Sequence, residues 1–339
     1  MNVLSKVTAL AAASAMVLSL AACGGGTAST PAATTSAAPE ASAPAEGAAS
    51  YTVGICQQMT HDALDAATQG FKDALNELLP GQVTFDEQDA GGEYTNCGTI
   101  MDGFVAEGVD LILANATYPL QAAASVTADI PILGTSVTDY ATALSIDDWT
   151  GTVGGNISGT SDLAPLDQQA AMLNELFPDA TTVGLLYCSG EPNSVYQVET
   201  IQGYLEDMGY TCEQYAFTDV NDLSSEAQTA CDGSDVIYIP TDNTAAANTE
   251  TIANVVIPAG VPVIAGESGI CSGCGVATLS ISYYDIGYKT GEMAAQILTG
   301  EADISTMPVE YAPNVTKMYN AANCEALGLT MPEDYEPIA

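Results

Sequence analysis

The feature that most constrains the fold is a regular alternation of short apolar segments with segments of helical periodicity, starting at Tyr51. The segment 61–79, for example, places Leu64, Phe71 and Leu75 on one helical face. The alternation runs twice and is interrupted by a Gly-, Ser- and Thr-rich stretch at 150–161. The predicted strands are 51–56, 83–86, 109–114, 131–134, 182–187, 212–217, 236–239, 261–265 and 276–282. The predicted helices are 61–79, 96–107, 119–127, 167–177, 194–208, 223–231, 244–258 and 284–298.

Strands that alternate with helices form βαβ units around a parallel sheet. Two such runs in 339 residues predict an α/β protein with two Rossmann-like lobes of roughly 100–150 residues each. A further strand and helix follow Ala265, so we expect the chain to return to the first lobe and the lobes to be joined by a multi-strand hinge. The predicted lobes are 51–157 plus about 278–303, and about 158–277 plus 304–339.

The first 50 residues carry signals for export rather than for folding. Residues 1–22 combine Lys6 with a short apolar run and small residues at the end, which is the pattern of a signal peptide. Leu20-Ala21-Ala22-Cys23 looks like a bacterial lipobox, and this resemblance implies that Cys23 becomes the lipidated N-terminus. Residues 23–50 are too poor in large side chains to fold and predict a tether. We therefore expect an extracytoplasmic protein anchored to the membrane by lipid; the alternative is an ordinary secretory signal.

The charge balance excludes one class of partner. The sequence has 43 acidic residues against 4 lysines and no arginine, for a net charge of −39. A field of this sign repels phosphate backbones, so we expect no nucleic-acid binding.

Cysteine usage predicts disulfide bonds. Nine cysteines leave eight if Cys23 is lipidated, and an even number in an exported chain favours pairing. The candidates are Cys56 with Cys97 and Cys212 with Cys231, which we expect to meet at one edge of a sheet, and Cys271 with Cys274, which we place in a glycine-rich loop. Zinc is disfavoured because the chain has a single histidine, and we predict no metal site.

Polar residues cluster where predicted strands end. In open parallel sheets, ligands bind beyond the carboxyl ends of the strands, so two facing lobes form a hinged cleft lined by these clusters. Helix capping is the alternative role of each such residue. The candidate ligand-binding residues are Gln57, His61, Ala116, Thr117, Ser136, Val137, Thr138, Asp139, Glu191, Asn193, Ser194, Asp242, Asn243 and Glu267.

The absence of arginine narrows the ligand class. A ligand carboxylate cannot rest on a guanidinium group and must use hydroxyls and helix N-terminal amides, such as those of Thr117, Ser136 and Thr138. An ammonium group has several acidic partners, among them Asp242 and Glu267. This division of charge favours a zwitterion, an α-amino acid.

No catalytic set is recognisable. The sequence has no G-x-S-x-G, P-loop, H-E-x-x-H or EF-hand spacing, so we predict that the protein is not an enzyme and uses no cofactor.

Several short stretches follow one another in an order that is hard to obtain by accident. They are Val53-Gly54-Ile55-Cys56-Gln57, His61-Asp62-Ala63-Leu64-Asp65, Ser136-Val137-Thr138-Asp139, Gly159-Thr160-Ser161-Asp162, Glu191-Pro192-Asn193-Ser194, Pro240-Thr241-Asp242-Asn243, Ala277-Thr278-Leu279, and Tyr283-Tyr284 with Gly287. In these stretches the chain resembles a known family, the ABC-transporter substrate-binding lipoproteins of the tryptophan/tyrosine type, and the resemblance implies the type I periplasmic-binding-protein fold. Asp62 stands where that family usually has proline.

The resemblance implies a monomeric receptor that delivers a free aromatic amino acid to an ABC permease and its ATPase. We expect the ligand ring to lie against Tyr118, Tyr140 and Tyr284. Alternatives are a receptor for a nucleoside, sugar or branched-chain amino acid, or a lipid-anchored enzyme or sensor. A sugar cleft usually contains tryptophan, and the only one, Trp149, falls near the crossover.

Overall fold

The structure is a computed structural model that describes residues 50–338. Its strands and helices form two sheets with helices packed against them. In chain order the elements are β1 (Tyr51–Gln57), α1 (Asp62–Leu78), β2 (Val83–Asp89), α2 (Tyr94–Glu107), β3 (Leu111–Asn115), α3 (Thr117–Val126), β4 (Ile132–Val137), α4 (Tyr140–Leu144), β5 (Ile157–Ser161), α5 (Leu166–Leu176), β6 (Thr182–Cys188), α6 (Pro192–Asp207), β7 (Thr211–Phe217), α7 (Val220–Gly233), β8 (Val236–Ile239), α8 (Asn243–Ala246), α9 (Thr249–Ala259), β9 (Val263–Ala265), α10 (Ser268–Gly273), β10 (Ala277–Ser280), α11 (Tyr283–Leu298), β11 (Glu310–Tyr311), β12 (Thr316–Tyr319), α12 (Ala321–Leu327) and β13 (Glu336–Pro337).

The two sheets confirm the predicted α/β fold class. The first has the strand order β11-β5-β4-β3-β1-β2, and all its neighbours are parallel. The second has the order β13-β12-β10-β9-β8-β6-β7 and is parallel except where β12 runs against β10. Each sheet is covered by an apolar cluster on both faces, as the nearly continuous apolar sequences of its central strands require.

The chain crosses between the two lobes three times. The crossings are the segments between β5 and α5, between β10 and α11, and between β11 and β12. Strands 157–161 and 310–311 belong to the first sheet, and strand 277–280 belongs to the second. The lobe boundaries therefore differ from the predicted ones by a few residues at each crossing.

The return to the first lobe is fixed by a close helix crossing. Helix α11 packs along α1, and glycines stand where the backbones approach. A β-carbon at Gly287 would lie 2.0 Å from the carbonyl oxygen of Ala67, and one at Gly70 would lie 2.1 Å from that of Tyr284. These positions therefore need glycine because no side chain fits between the helices.

Of the three predicted disulfides, one stays a prediction and two are contradicted by the structure. Among residues 50–338 all eight cysteines are free thiols. Cys56 and Cys97 are both buried in one cluster, and the hydrogen bond between their thiols raises the pKa of Cys56 and lowers that of Cys97. Their disulfide stays a prediction.

The other two pairings are not formed. Cys212 packs on one face of the second sheet and Cys231 on the opposite face, so the sheet separates them. Cys271 lies in helix α10 rather than in a loop. The thiol of Cys274 donates to the carbonyl oxygen of Ile270 at 3.4 Å.

Within residues 50–338, no helix is both long and apolar enough to cross a bilayer. The predicted signal peptide, the lipidated Cys23 and the tether lie outside the described residues, apart from Ser50 at the end of the tether.

Candidate functional site

A small cavity lies between the lobes where the carboxyl ends of both sheets meet. Its volume is about 10 Å³, which is about the space that one water molecule needs. The surface also has larger grooves, but this small cavity lies at the carboxyl ends of strands from both sheets, where α/β proteins bind ligands. It is lined by His61, Leu64, Ser136, Thr138, Asp162, Asn193, Thr241, Asp242, Asn243, Ala246, Glu267 and Tyr283.

The first lobe contributes an unpaired hydroxyl. Ser136 adopts φ +54°, a left-handed conformation that is uncommon for a residue with a side chain. Its hydroxyl oxygen is buried and has no hydrogen-bond partner. Ala116, at the end of the neighbouring strand, has φ +98°. Backbone strain of this kind is typical of ligand-binding positions, and the hydroxyl is available to a ligand.

Asp162 lies beside this hydroxyl at the end of β5. It is 3% exposed and accepts hydrogen bonds from Thr138 Oγ1 and Tyr283 Oη, both at 2.9 Å. Burial raises the pKa of Asp162, although the two hydrogen bonds oppose that shift. Tyr283 is the first residue of α11, so this contact also ties the returning helix to the cleft.

The second lobe is organised by the carboxylate of Glu191. Its oxygens accept five hydrogen bonds of 2.6–3.2 Å, from Asn193 Nδ2 and from backbone and side-chain groups of Asn243 and Thr244. Asn193 Nδ2 also donates to the backbone oxygen of Thr241 at 3.1 Å. The amide orientation of Asn193 is thereby fixed, and its Oδ1 is buried in the cavity wall without a partner. An amide oxygen can only accept, so this position requires a ligand donor.

Two further acids of the second lobe cap short helices. Asp242 accepts from the backbone N–H of Cys188 at 2.7 Å and of Ala245 at 2.8 Å. Glu267 accepts from the N–H of Gly269 at 2.6 Å and of Ile270 at 2.5 Å. Burial raises the pKa of Asp242 to about 7, aided by the nearby charge of Glu191, and burial raises the pKa of Glu267 to about 7.

Two contacts close the cleft. His61 Nε2 lies 3.2 Å from Asn243 Oδ1 across the gap between the lobes. The hydroxyl of Tyr118, in the first lobe, donates to the carbonyl oxygen of Gly190 in the second. Burial lowers the pKa of His61, so its ring is neutral at pH 7.

None of the cavity-lining residues described by the structure carries a permanent positive charge. The three lysines of residues 50–338 form ion pairs on the outside: Lys72 with Glu87, Lys289 with Glu292 and Glu310, and Lys317 with Glu175 and Asp334. No group of three or more His, Cys, Asp or Glu side chains in this part of the chain is placed to hold a metal ion.

The structure brings half of the predicted ligand-binding residues to the cavity wall. These are His61, Ser136, Thr138, Asn193, Asp242, Asn243 and Glu267. The others support it from behind: the Gln57 amide donates to Asp65, Glu191 holds Asn243, and Asp139 caps α4. Ala116, Thr117, Val137 and Ser194 are buried outside the lining.

The predicted ring pocket is only partly right. Tyr140 is in the core, where its ring stacks on Trp149, and Tyr284 is 40% exposed on the outer side of α11. Tyr118 lies at the mouth of the cleft, and the tyrosine in the cavity is Tyr283. Asp162 was not among the predicted ligand-binding residues, although it lies in a stretch that resembles the family and follows a strand as the other polar clusters do.

The family model described as "ABC transporter substrate binding protein" matches residues 52–337. The chain belongs to this family. A "Tyrosine-binding protein" from Clostridioides difficile is 31% identical over 280 residues, which cover 82% of this chain and 81% of that protein. The family is one of receptors that bind small molecules outside the cytoplasm for ABC transporters.

Two solved structures are similar to this chain over most of its length. A Streptococcus pneumoniae ABC domain in complex with L-Trp is 30% identical, with a TM-score of 0.81 over 86% of this chain and 100% of that one. A ligand-free, open substrate-binding protein from Clostridium difficile is 33% identical, with a TM-score of 0.66 over 85% of this chain and 99% of that one.

Proposed function

We propose that this family member is the extracytoplasmic receptor of an ABC importer and captures a free aromatic amino acid between its lobes. The observation that carries the proposal is a pair of unpaired buried atoms of opposite character in one cavity. Ser136 Oγ, on the first lobe, can donate to a carboxylate, whereas Asn193 Oδ1, on the second, can only accept.

Charge on the second lobe favours a zwitterion in this orientation, whereas Asp162 on the first lobe must be protonated beside a ligand carboxylate, and burial raises its pKa in that direction. Asp242 and Glu267 lie on the same lobe as Asn193 and stabilise an ammonium group, while the first lobe offers Ser136 near the start of α3. A carboxylate bound there uses hydroxyls and backbone N–H groups, since no lysine is within the cavity wall. The two ends of one ligand therefore hold the two lobes together.

The aromatic side chain is supported by two relatives rather than by the cavity itself. One relative is named for tyrosine and another was solved with L-Trp. Leu64, Ala246 and Tyr283 provide apolar or aromatic surface in the cavity wall. An aromatic amino acid needs far more than 10 Å³, so ligand entry requires the lobes to separate and then close around it.

Isothermal titration calorimetry against the twenty common amino acids tests the proposal. We expect binding of tyrosine, tryptophan or phenylalanine, and no binding of the N-acetylated forms, which lack the ammonium group. If none of the three aromatic amino acids gave a heat of binding, the proposal would be contradicted. Membrane attachment through Cys23 is tested separately by mass spectrometry of the exported protein, where an unmodified N-terminus would contradict lipidation.

A further inference from the structure

Buried carboxyl groups surround the cavity in excess of what one ligand ammonium can balance. Asp162, Asp242 and Glu267 line it, and Glu191 lies directly behind. Their exposed fractions are only 1–3%. Four buried carboxylates without a cation would be unstable, because each loses its hydration.

Hydrogen bonds offset only part of this cost. Asp242 and Glu267 each accept two backbone N–H bonds, and Asp162 accepts two hydroxyl bonds. Burial nevertheless raises the pKa of Asp242 and of Glu267 to about 7. At pH 7 the two groups therefore hold about one proton between them.

The other titratable groups near the cavity supply no positive charge. His61 is neutral at pH 7 because burial lowers its pKa, and the acids on its own helix add negative potential. Negative charge on the acids raises the pKa of each neighbouring tyrosine and thiol as well. The groups that interact electrostatically with Asp242, Glu267 or Asp162 are Asp62 of α1, Tyr118 of α3, Tyr140 of α4, Cys188 of β6, Glu191 before α6, Cys271 of α10, Cys274 after it, and Tyr283 of α11. His61, directly before α1, lines the same cavity.

We propose that ligand binding exchanges a proton for an ammonium group: as the ligand enters, Asp242 and Glu267 release a proton to solvent. The unpaired Asn193 Oδ1, in a residue 7% exposed, points independently to a ligand donor in this cavity. One carboxyl O–H bond breaks and its proton passes to a buffer base in solvent, and an N–H of the ligand ammonium takes its place as hydrogen-bond donor. This inference rests on the proposed ammonium-bearing ligand.

Calorimetry of the full chain with L-tryptophan in two buffers measures the exchange directly. Tris and phosphate differ strongly in ionisation enthalpy, so the difference in observed binding enthalpy gives the number of protons released. We expect release of up to about one proton at pH 7 and about a fifth as much at pH 8, where both buffers still hold the pH. Affinity should fall as pH falls, by about 30-fold between pH 8 and pH 5.5 for each acid with a pKa near 7 that must ionise.

Glu267→Gln is the test variant, since the glutamine oxygen can still accept one of the two capping bonds of α10 but the side chain cannot titrate. We expect it to release fewer protons at pH 7 and to show a weaker pH dependence of affinity. Asp219→Asn is the matched control because Asp219 caps α7 in the same way, with an exposed side chain. The control should release as many protons as the wild type.

The ligand-free protein gives a second readout if the variant binds poorly. Folding raises the pKa of Glu267, so the folded chain holds more protons than the unfolded chain between about pH 4 and pH 7. This group therefore destabilises the fold at pH 8, and the effect is relieved as pH falls through 7. The rise in melting temperature from pH 8 to pH 5 should be smaller in Glu267→Gln than in wild type or Asp219→Asn.

The outcomes separate the two proposals. Binding with the same enthalpy in both buffers and the same affinity from pH 5.5 to pH 8 would overturn the proton exchange and leave the receptor function intact. Absence of binding by every aromatic amino acid throughout that range would overturn the proposed function, the capture of an aromatic amino acid.

Discussion

Replacing Ser136 by alanine should raise stability and lower affinity at the same time. The hydroxyl of Ser136 is buried without a partner in the ligand-free cavity. Burying an unpaired hydroxyl costs about 1–3 kcal/mol, and the alanine variant avoids that cost. Alanine and serine tolerate the left-handed φ of +54° equally poorly, so the backbone contribution stays the same.

The affinity change follows from the proposed bond to a ligand carboxylate. A hydrogen bond to a charged group contributes about 1.5–3 kcal/mol, so its loss should weaken binding by about 10- to 150-fold. A stability gain of about 1 kcal/mol should raise the melting temperature of the ligand-free protein by about 2–4 °C. Opposite signs in the two measurements are typical of a binding position and not of a core position.

Scanning calorimetry and titration with L-tryptophan measure the two quantities on the same sample. Ser145→Ala is the matched control, because Ser145 has the same φ of +54° but lies exposed at the end of α4. It should change neither quantity. An alanine at 136 that leaves affinity within twofold of wild type would refute the carboxylate assignment, and so would loss of both stability and affinity.

Two substitutions and one peptide-mapping experiment test the crossing of α1 and α11, the contact that closes the cleft, and the disulfide between Cys56 and Cys97. Gly287→Ala forces α1 and α11 apart, so we expect a loss of about 1–3 kcal/mol in urea unfolding, whereas Gly203→Ala, with open space around it, should not destabilise. An unaffected Gly287 variant would contradict the close crossing. Tyr118→Phe removes a hydrogen bond between the lobes, so tryptophan affinity should fall about 2- to 10-fold and small-angle scattering should show a larger ligand-free radius; an unchanged radius and affinity would refute the closure contact. Peptide mapping of the exported protein should find Cys56 joined to Cys97, and recovery of both as free thiols would make that pairing wrong.

Most strands and helices could be predicted from the periodicity of apolar residues. Strand β5 could not, because tertiary packing determines its composition. Strand β5 reads Ile-Ser-Gly-Thr-Ser and resembles a linker in composition. Its small residues are needed because the hydroxyl of Tyr140 packs against the strand: a β-carbon at Gly159 or Gly134 would lie 2.4 Å from that oxygen. A contact of this kind joins residues far apart in sequence, so local patterns give no sign of it.

About half of the residues that line the cavity could be predicted from the sequence, and the rest depend on contacts between segments that are far apart in the chain. The rule that polar residues follow strands found Ser136, Asn193 and Asp242, but it missed Asp162 because the stretch 150–161 was not predicted to contain a strand. Tyr283 did leave a sequence signal, since it shares the buried face of α11 with Ile286, Thr290 and Met293. The role of Glu191 could not be predicted, because it depends on where the loop before α8 returns.

A crystal structure of the complex with L-tryptophan would show which way the ligand lies between the lobes. We predict that the ligand ammonium lies within about 3.2 Å of Asn193 Oδ1 and close to Asp242 or Glu267, with the carboxylate on Ser136 Oγ. A ligand bound in the reverse orientation, or bound outside the space between the lobes, would contradict it.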